Sequence, residues 1–385
     1  MMSQNVVEEK GVEVLDEKFE NFYSKVESLA IGKKDYLVSM GDMKMVQGTL
    51  QIKELGEMKL SPTATQQLTA QLGMFSPYFK KLVAMDAIEL LDANVNYWLK
   101  YYADKTILLR NDNNIVRAVL SSRYKVIDNL NVLNLTRDIF MKNNPNLVFK
   151  SGMVAGGNMH LQFLSDQEIV YLEPEKKEDA YKFGISLQNS EVGMQSFALA
   201  EYVYRLVCTN GAVAFAGDGD FQRWFHIGGK KNNFDYNNDP QYKKEYEVTL
   251  QNITNQLEKS VQPTHQQQTI NNLKELKGKK VLDPINFAKA LKAYFMLSDK
   301  DMEIVNKVRE GDSYYDWLQA ITRAANYYTN DSQEKSVRRR IDLEKFGGLL
   351  MSDDGKIWGH LELVTQDYAL KDKDKKNKDN TDNTQ

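Results

Sequence analysis

The side chains that could do chemistry are few, and most are basic or aromatic. His226 stands out, because Arg223-Trp-Phe-His-Ile-Gly-Gly-Lys-Lys231 gathers Arg223, Trp224, His226, Lys230 and Lys231 around glycines that permit close backbone approach. Phosphate or single-strand backbone contact would suit that set. Gly228-Gly-Lys230 lacks the spacing and the Ser/Thr of a nucleotide-binding P-loop, so no nucleotide cofactor is expected. The four histidines, His160, His226, His265 and His360, have no second ligand at metal spacing. Asp218 and Asp220 are two carboxylates that a Mg²⁺-dependent nuclease could use, but an acidic loop without a third is ordinarily only solvated. No metal site, cofactor or catalytic residue is therefore assigned, and a metal-dependent nuclease is kept only as the last reading. Arg338-Arg-Arg340, with Lys335 and Arg323, is the densest positive feature. Three consecutive arginines fan around a helix, so at least one is expected to pair with Asp342 or Glu344, leaving the others for phosphate.

Composition narrows the class. The 385 residues are 42% apolar and 10% aromatic, enough for a sizeable core, and 50 Lys+Arg against 53 Asp+Glu leave a net charge of -3. That balance excludes a histone-like binder but leaves room for local basic patches. The single cysteine, Cys208, excludes an internal disulfide framework and reads as a buried small hydrophobe. The N-terminal stretch is polar and acidic, and no window approaches about 18 consecutive apolar residues. The expectation is a cytoplasmic protein without signal peptide or membrane span.

The elements that must position these residues read as α+β: an antiparallel sheet with packed helices, then a helical C-terminal subdomain and a disordered tail. Residues 1–33 are expected to be an arm ending in an amphipathic helix with Phe19, Phe22, Tyr23, Val26 and Leu29 at helical spacing. Residues 34–239 form the α+β core domain. It starts with a meander or hairpin over 34–60 and a helix pair over 61–85, with Ser61 and Ser76 as N-caps, Pro62 and Pro77 at the first helical positions and Gly73 closing the first helix. That pair reads as a hairpin of helices covering a sheet, ahead of a helix-turn-helix DNA reader built on Leu68 and Leu72. A helix over 84–104 ends in Tyr97, Trp98, Tyr101 and Tyr102 near Lys100 and Lys105. Those aromatics read as core, ahead of a platform for exposed bases. A β-hairpin turns at Asn111–Asn114, Asn129 or Asn131 caps a helix through Phe140, and two strands flank Gly156-Gly157. Residues 240–350 read as helices, 351–370 as a short hairpin about Asp354-Gly355, and 371–385 as the tail.

Between these lies Tyr181 to Gly217. Phe183, Ile185 and Leu187 alternate as a half-buried strand, and Asn189-Ser-Glu-Val-Gly193 is turn chemistry. Arg205, among apolar neighbours, needs a carboxylate, with Glu191 and Glu201 as local candidates, or a phosphate.

Several motifs in order carry a family resemblance. Arg110-Asn-Asp-Asn, Val116-Arg-Ala-Val-Leu-Ser-Ser-Arg123-Tyr124-Lys-Val-Ile-Asp-Asn129, Gly184 to Gly193 with Asn189, Ser190 and Glu191, and Tyr204-Arg205-Leu-Val-Cys208-Thr-Asn210-Gly211 resemble the phage/plasmid-like proteins grouped as a domain of unknown function. Ser61 to Leu68 and Leu343 to Leu350 extend the likeness over roughly residues 60–350. The resemblance implies a mobile-element protein without an established enzymatic activity. The strand Tyr124 to Asp128, the helix around Asn134 to Phe140 and the following hairpin are also similar to the core of phage single-strand annealing recombinases.

Two functions are expected from this. One is binding of nucleic acid, single-stranded DNA above all, as a homo-oligomer in replication or recombination, with Arg223, Trp224, His226, Lys230, Lys231, Arg338, Arg339, Arg340, Arg123 and Tyr124 as contacts. The alternative is a non-enzymatic protein-interaction module, such as an inhibitor of host defence, using the same residues.

Overall fold

A computed structural model describes residues 12–15, 18–137, 147–166, 170–173, 176–206, 210–214, 222–224, 248, 263–328, 334–352 and 355–382. The α+β class holds, with two largely antiparallel sheets and helices dominating the C-terminal part.

In chain order the first elements are β1 (Val12–Leu15), α1 (Phe19–Ala30), β2 (Lys33–Ser39), β3 (Met43–Val46), β4 (Thr49–Ile52) and β5 (Gly56–Leu60). Then come α2 (Pro62–Gln71), α3 (Ser76–Ala84), α4 (Ile88–Tyr101), β6 (Thr106–Asp112) and β7 (Ile115–Ser121). The first sheet has the order β2-β6-β7-β5-β4-β3, antiparallel except where β5 runs parallel to β7. The β6–β7 hairpin turns on Asn113 and Asn114 at φ 45° and 67°, a left-handed pair that Asn tolerates because its short amide can bond locally. Between Arg110 and Asn111 the register slips by one residue, so Arg117 is the extra residue of a β-bulge. Ser61 caps α2, its hydroxyl accepting from the Ala64 amide at 3.1 Å, and Gly73 ends the helix region at φ +69°. Ser76 is not a cap: Phe75 takes that position without a side-chain bond, and Ser76 lies in the first turn of α3. Leu68, Leu72, Phe79 and Leu82 all point into one core with Met45, Leu50, Val95 and Val119, so the helix pair covers the first sheet.

After α5 (Asn129–Thr136) come β8 (Leu147–Ala155), β9 (Asn158–Ser165), β10 (Val170–Glu173), β11 (Lys176–Ser190), β12 (Phe197–Arg205), β13 (Asn210–Ala214) and β14 (Gln222–Trp224), which form the second sheet together with β1. Its order is β1-β8-β9-β11-β12-β13, with β10 on β11 and β14 on β12. Met194 to Leu206 has no clean period, and the strand expected at its start runs from Phe197 to Arg205. Gly184 sits where a Cβ would overlap the Phe163 carbonyl, so a glycine is required for β9 and β11 to pair. One face of this sheet is apolar. Phe19, Phe22 and Val26 of α1 bury there against Phe149, Phe163, Ile185 and Leu187, each large side chain contributing roughly 1.5–3 kcal/mol.

The C-terminal helices are α6 (Pro263–Gly278), α7 (Pro284–Tyr294), α8 (Asp299–Val308), α9 (Tyr314–Ala325), α10 (Glu334–Ser352) and α11 (Lys356–Asp382). Ser298 and Ser313 start α8 and α9 with reciprocal capping boxes to Asp301 and Asp316. Phe287, Tyr314 and Trp358 stack at the centre of their core with Trp317 tilted against Phe287, and the same core takes in Leu172, Tyr181, Phe183 and Val203 of the second sheet. Among the described residues of 351–370 no hairpin is formed. The chain is helical on both sides of Gly355 (φ +93°), because Trp358, Leu361 and Thr365 recur at helical spacing and bury one stripe. The expected tail from 371 falls on α11 through Asp382, with residues 383–385 outside the described residues. The expected cap at Asn129 or Asn131 is also replaced: Asp128 is the N-cap of α5.

Candidate functional site

The motif residues Asn189, Ser190, Glu191 and Gly193 converge on a buried polar seam between the two sheets. They end β11 and turn the chain toward β12, and the Glu191 amide donates to the Gly157 carbonyl at 2.9 Å, which fixes the turn against the β8–β9 hairpin. Three donors then meet the Glu191 carboxylate: Lys33 Nζ at 2.6 Å, Arg117 Nη1 at 2.8 Å and the Asn129 amide at 2.9 Å. The bulge is what lets Arg117 reach it. The Glu191 carbonyl accepts from Arg110 Nη1 at 2.8 Å, and Arg110 forks onward to Asp35 at 2.9 Å and Asp128 at 2.5 Å. Three cations thus face three carboxylates, the condition under which buried charge is tolerable.

Neutral groups close the seam. Asn189 donates to the Ile127 carbonyl and to Asn129 Oδ1 at 2.8 and 2.9 Å, and Tyr124 donates to the Ser190 carbonyl at 3.0 Å. From the other sheet Gln67 of α2 donates to the Val192 carbonyl at 2.7 Å and accepts from the Val119 amide at 2.8 Å. Burial alone would raise the Glu191 carboxyl, but Lys33, Arg117 and Arg110 hold it at about 2. Burial would lower the Arg110 guanidinium, and Asp128 and Asp35 reverse that, so it stays above its ordinary value. Burial pushes the Tyr124 phenol up. A carboxylate this acidic and this fully bonded has no proton to exchange near neutral pH, so the seam acts as a latch between sheets.

A second polar cluster lies on the opposite, α10-facing side of the second sheet. His160 Nε2 is 2.6 Å from Ser186 Oγ and 3.9 Å from Glu344 Oε2, and Gln162 Nε2 donates to the same carboxylate at 2.8 Å. Ser, His and Glu together invite comparison with a hydrolytic triad. The geometry is wrong for one: hydroxyl and carboxylate both address Nε2, whereas a triad needs the carboxylate on Nδ1 to orient the ring. All three side chains are also buried, Ser186 and His160 on the sheet and Glu344 on α10 above it. Burial, with Arg340 and Lys345 nearby, holds the His160 imidazole well below its ordinary value, and burial raises the Glu344 carboxyl.

α10 also carries the arginine run. Arg340 is buried, its Nε 3.4 Å from Glu344 and its Nη1 3.3 Å from Met153 Sδ. Arg339 forks onto Asp301 at 3.0 and 2.6 Å, and Tyr328 donates to the same carboxylate at 2.7 Å. Against burial, those bonds and Ser298 hold Asp301 at about 2. Arg340 thus meets Glu344, a partner expected for one arginine of the run, and Arg339 meets Asp301, so both are engaged in ion pairs that dock a helix. Arg338 is half-buried. Tyr124, expected as a contact, is buried in the seam beside exposed Arg123.

The other expected contacts are only in part among the described residues. Arg223 and Trp224 lie on β14, paired in register with Ala198 and Phe197, while His226, Lys230, Lys231, Cys208, Asp218 and Asp220 lie outside the described residues. Arg205 sits opposite Tyr181 and Asn210, with Gly211 next along β13, at the far end of β11 and roughly 25 Å from Asn189 at the rise of a strand. Its guanidinium lies over the Tyr315 ring at 5.6 Å, and Glu191 is engaged elsewhere. Among the described residues no three His, Cys, Asp or Glu side chains gather as metal ligands would, and no helix is long and apolar enough to cross a membrane.

One expected feature does face solvent. On α4, Tyr97 and Tyr101 are 65% and 68% exposed, held edge-on to the half-buried Trp98 at 5.2 and 5.6 Å. Trp98 stacks with Tyr102 at 6.1 Å, and Lys105 Nζ lies 5.6 Å over the Tyr102 ring. Exposed Lys100 adjoins them.

Sequence reasoning passed over Lys33, Asp35, Gln67 and Asp128 as seam partners. A signal did exist for the two arginines: Arg110 and Arg117 each interrupt an apolar strand, and a charge there needs a buried partner.

The family described as a domain of unknown function (DUF932) matches residues 116–381, from the second residue of β7 almost to the end of α11. No curated protein and no solved structure matches the chain.

Proposed function

We propose, for a chain that belongs to the DUF932 family, that it binds single-stranded nucleic acid without cleaving it. The observation that carries this reading is the α4 cluster. Two tyrosines with about two-thirds of their surface in water, oriented by contacts to Trp98 and flanked by Lys100 and Lys105, are what an unpaired strand needs: faces to stack on and cations for its phosphates. A cluster serving only as core would be covered. The likeness of the Arg110, Tyr124 and Asn189 segments to phage and plasmid proteins supports a mobile-element setting, with replication or recombination in a host cytoplasm as the context and a homo-oligomer as the acting form.

α4 lies upstream of the family match, so this reading concerns the present chain. The experiment is a gel shift with labelled single-stranded DNA across a salt series. Affinity is expected to fall steeply as salt rises, because each neutralised phosphate releases counterions. No shift at low salt would remove the reading. The stripe of Leu90, Tyr97 and Tyr101, all at least half exposed, would then favour a protein partner instead.

A further inference from the structure

Resting on that reading, we infer that α4 recognises base faces rather than backbone, with Tyr97 and Tyr101 as a two-ring stacking platform for neighbouring unpaired bases. The two residues are one helical turn apart, about 6 Å along the axis and about 40° in azimuth, so both rings stand on one outward stripe with Leu90 and Asn94. Their attitude is fixed before any ligand arrives. Tyr97 meets Trp98 at 89°, and Tyr101 meets Trp98 at 78° and Tyr102 at 89°. Trp98 and Tyr102, half-buried against the first-sheet core, anchor the set. Little side-chain entropy remains to be lost on binding.

The outward stripe of the helix itself carries no charge. Asp92 is turned to the Gly48 amide at 3.1 Å, and Glu89 lies about 80° around the helix from Tyr97. Exposed Lys100 lies about 60° from Tyr97 on the same side as Glu89, and exposed Lys105 follows the helix end next to exposed Asp104. The rigid mount of α4 supports precise presentation: Asn96 accepts from the Met45 amide at 2.7 Å and donates to its carbonyl at 2.8 Å, closing the edge of β3 as another strand would. An aromatic face reads no base edge and no 2′-hydroxyl. The ligand class is therefore any unpaired strand, DNA or RNA, with little sequence preference.

Full-length protein is titrated with a labelled oligothymidylate, an oligouridylate of equal length, an abasic oligodeoxynucleotide of equal length and a matched duplex. Oligothymidylate and oligouridylate are expected to bind alike, and the abasic strand about tenfold or more weaker. Tyr97→Ala and Tyr101→Ala should each weaken oligothymidylate about tenfold, while Tyr97→Phe and Tyr101→Phe retain binding, and none should shift the melting temperature because both side chains are exposed. Equal binding of abasic and normal strands would overturn base stacking and leave single-strand binding standing. Base-dependent binding indifferent to both alanine variants would put the stacking elsewhere and also overturn the inference, as would tighter binding of the duplex. No binding to any strand at low salt would remove this inference together with the reading it rests on.

Discussion

Glu191 and Arg117 form an ion pair at 2.8 Å with both side chains 2% exposed, across the boundary between the two sheets. The pair exists because a β-bulge in β7 turns Arg117 toward the end of β11. Removing one partner leaves the other charged and buried. Glu191→Gln keeps the shape and deletes the charge that faces Arg117, Lys33 and Arg110, so a loss of about 3–5 kcal/mol is expected in urea unfolding. A loss below about 1 kcal/mol would show that the seam is not what joins the sheets.

The same carboxylate sets an acid limit. Its folded value of about 2 lies below the ordinary glutamate value of 4.5, so the unfolded chain takes up its proton first on acidification. Stability from this group is fully present above about pH 4.5 and drains away as pH falls toward 2. Asp301, also held at about 2, acts in the same direction. Melting temperature measured from pH 6 to pH 2.5 should fall more shallowly in Glu191→Gln than in the unaltered chain, and parallel curves would contradict the assignment.

His160 has its effect at milder pH. Its imidazole stays neutral when folded, well below the ordinary 6.5, whereas the unfolded chain protonates near that value. Stability should therefore fall as pH drops from 7 to 5, by at most about 1.4 kcal/mol per unit from this group. His160→Asn is expected to flatten that part of the profile.

The arginine run separates docking from surface charge. Arg340→Ala leaves Glu344 buried against Gln162 and His160 without its cation, and about 3–5 kcal/mol of stability should be lost. Arg123→Ala, at an exposed position, should change stability by less than about 0.5 kcal/mol. Circular dichroism melts distinguish the two; equal effects would mean that α10 is not docked through Arg340.

Gly193 tests the turn. At φ +71° a Cβ would strain the backbone and approach Leu120 Cδ2 to 2.7 Å and Tyr124 Cε2 to 3.3 Å. Gly193→Ala should cost about 1–3 kcal/mol, and an unchanged denaturation midpoint would show that the seam can yield.

Much of the fold was legible in the chain itself. The alternation of Phe183, Ile185 and Leu187, the Asn113-Asn114 turn, the Ser61-Pro62 start and the stripe of Phe19, Phe22 and Val26 each follow from local periodicity or from a residue's own φ preference, which need no distant partner. The function of charged residues was not local. Whether Arg340 meets a phosphate or Glu344, and whether Glu191 serves Arg205 or Arg117, depends on which face of a helix packs inward and where one strand carries an extra residue. Sequence marked Trp98 and its neighbours as aromatic and put core ahead of platform. Only the tertiary structure divided them, burying part of Trp98 against the first sheet and leaving Tyr97 and Tyr101 in water, because a helix packed on one side must expose the other.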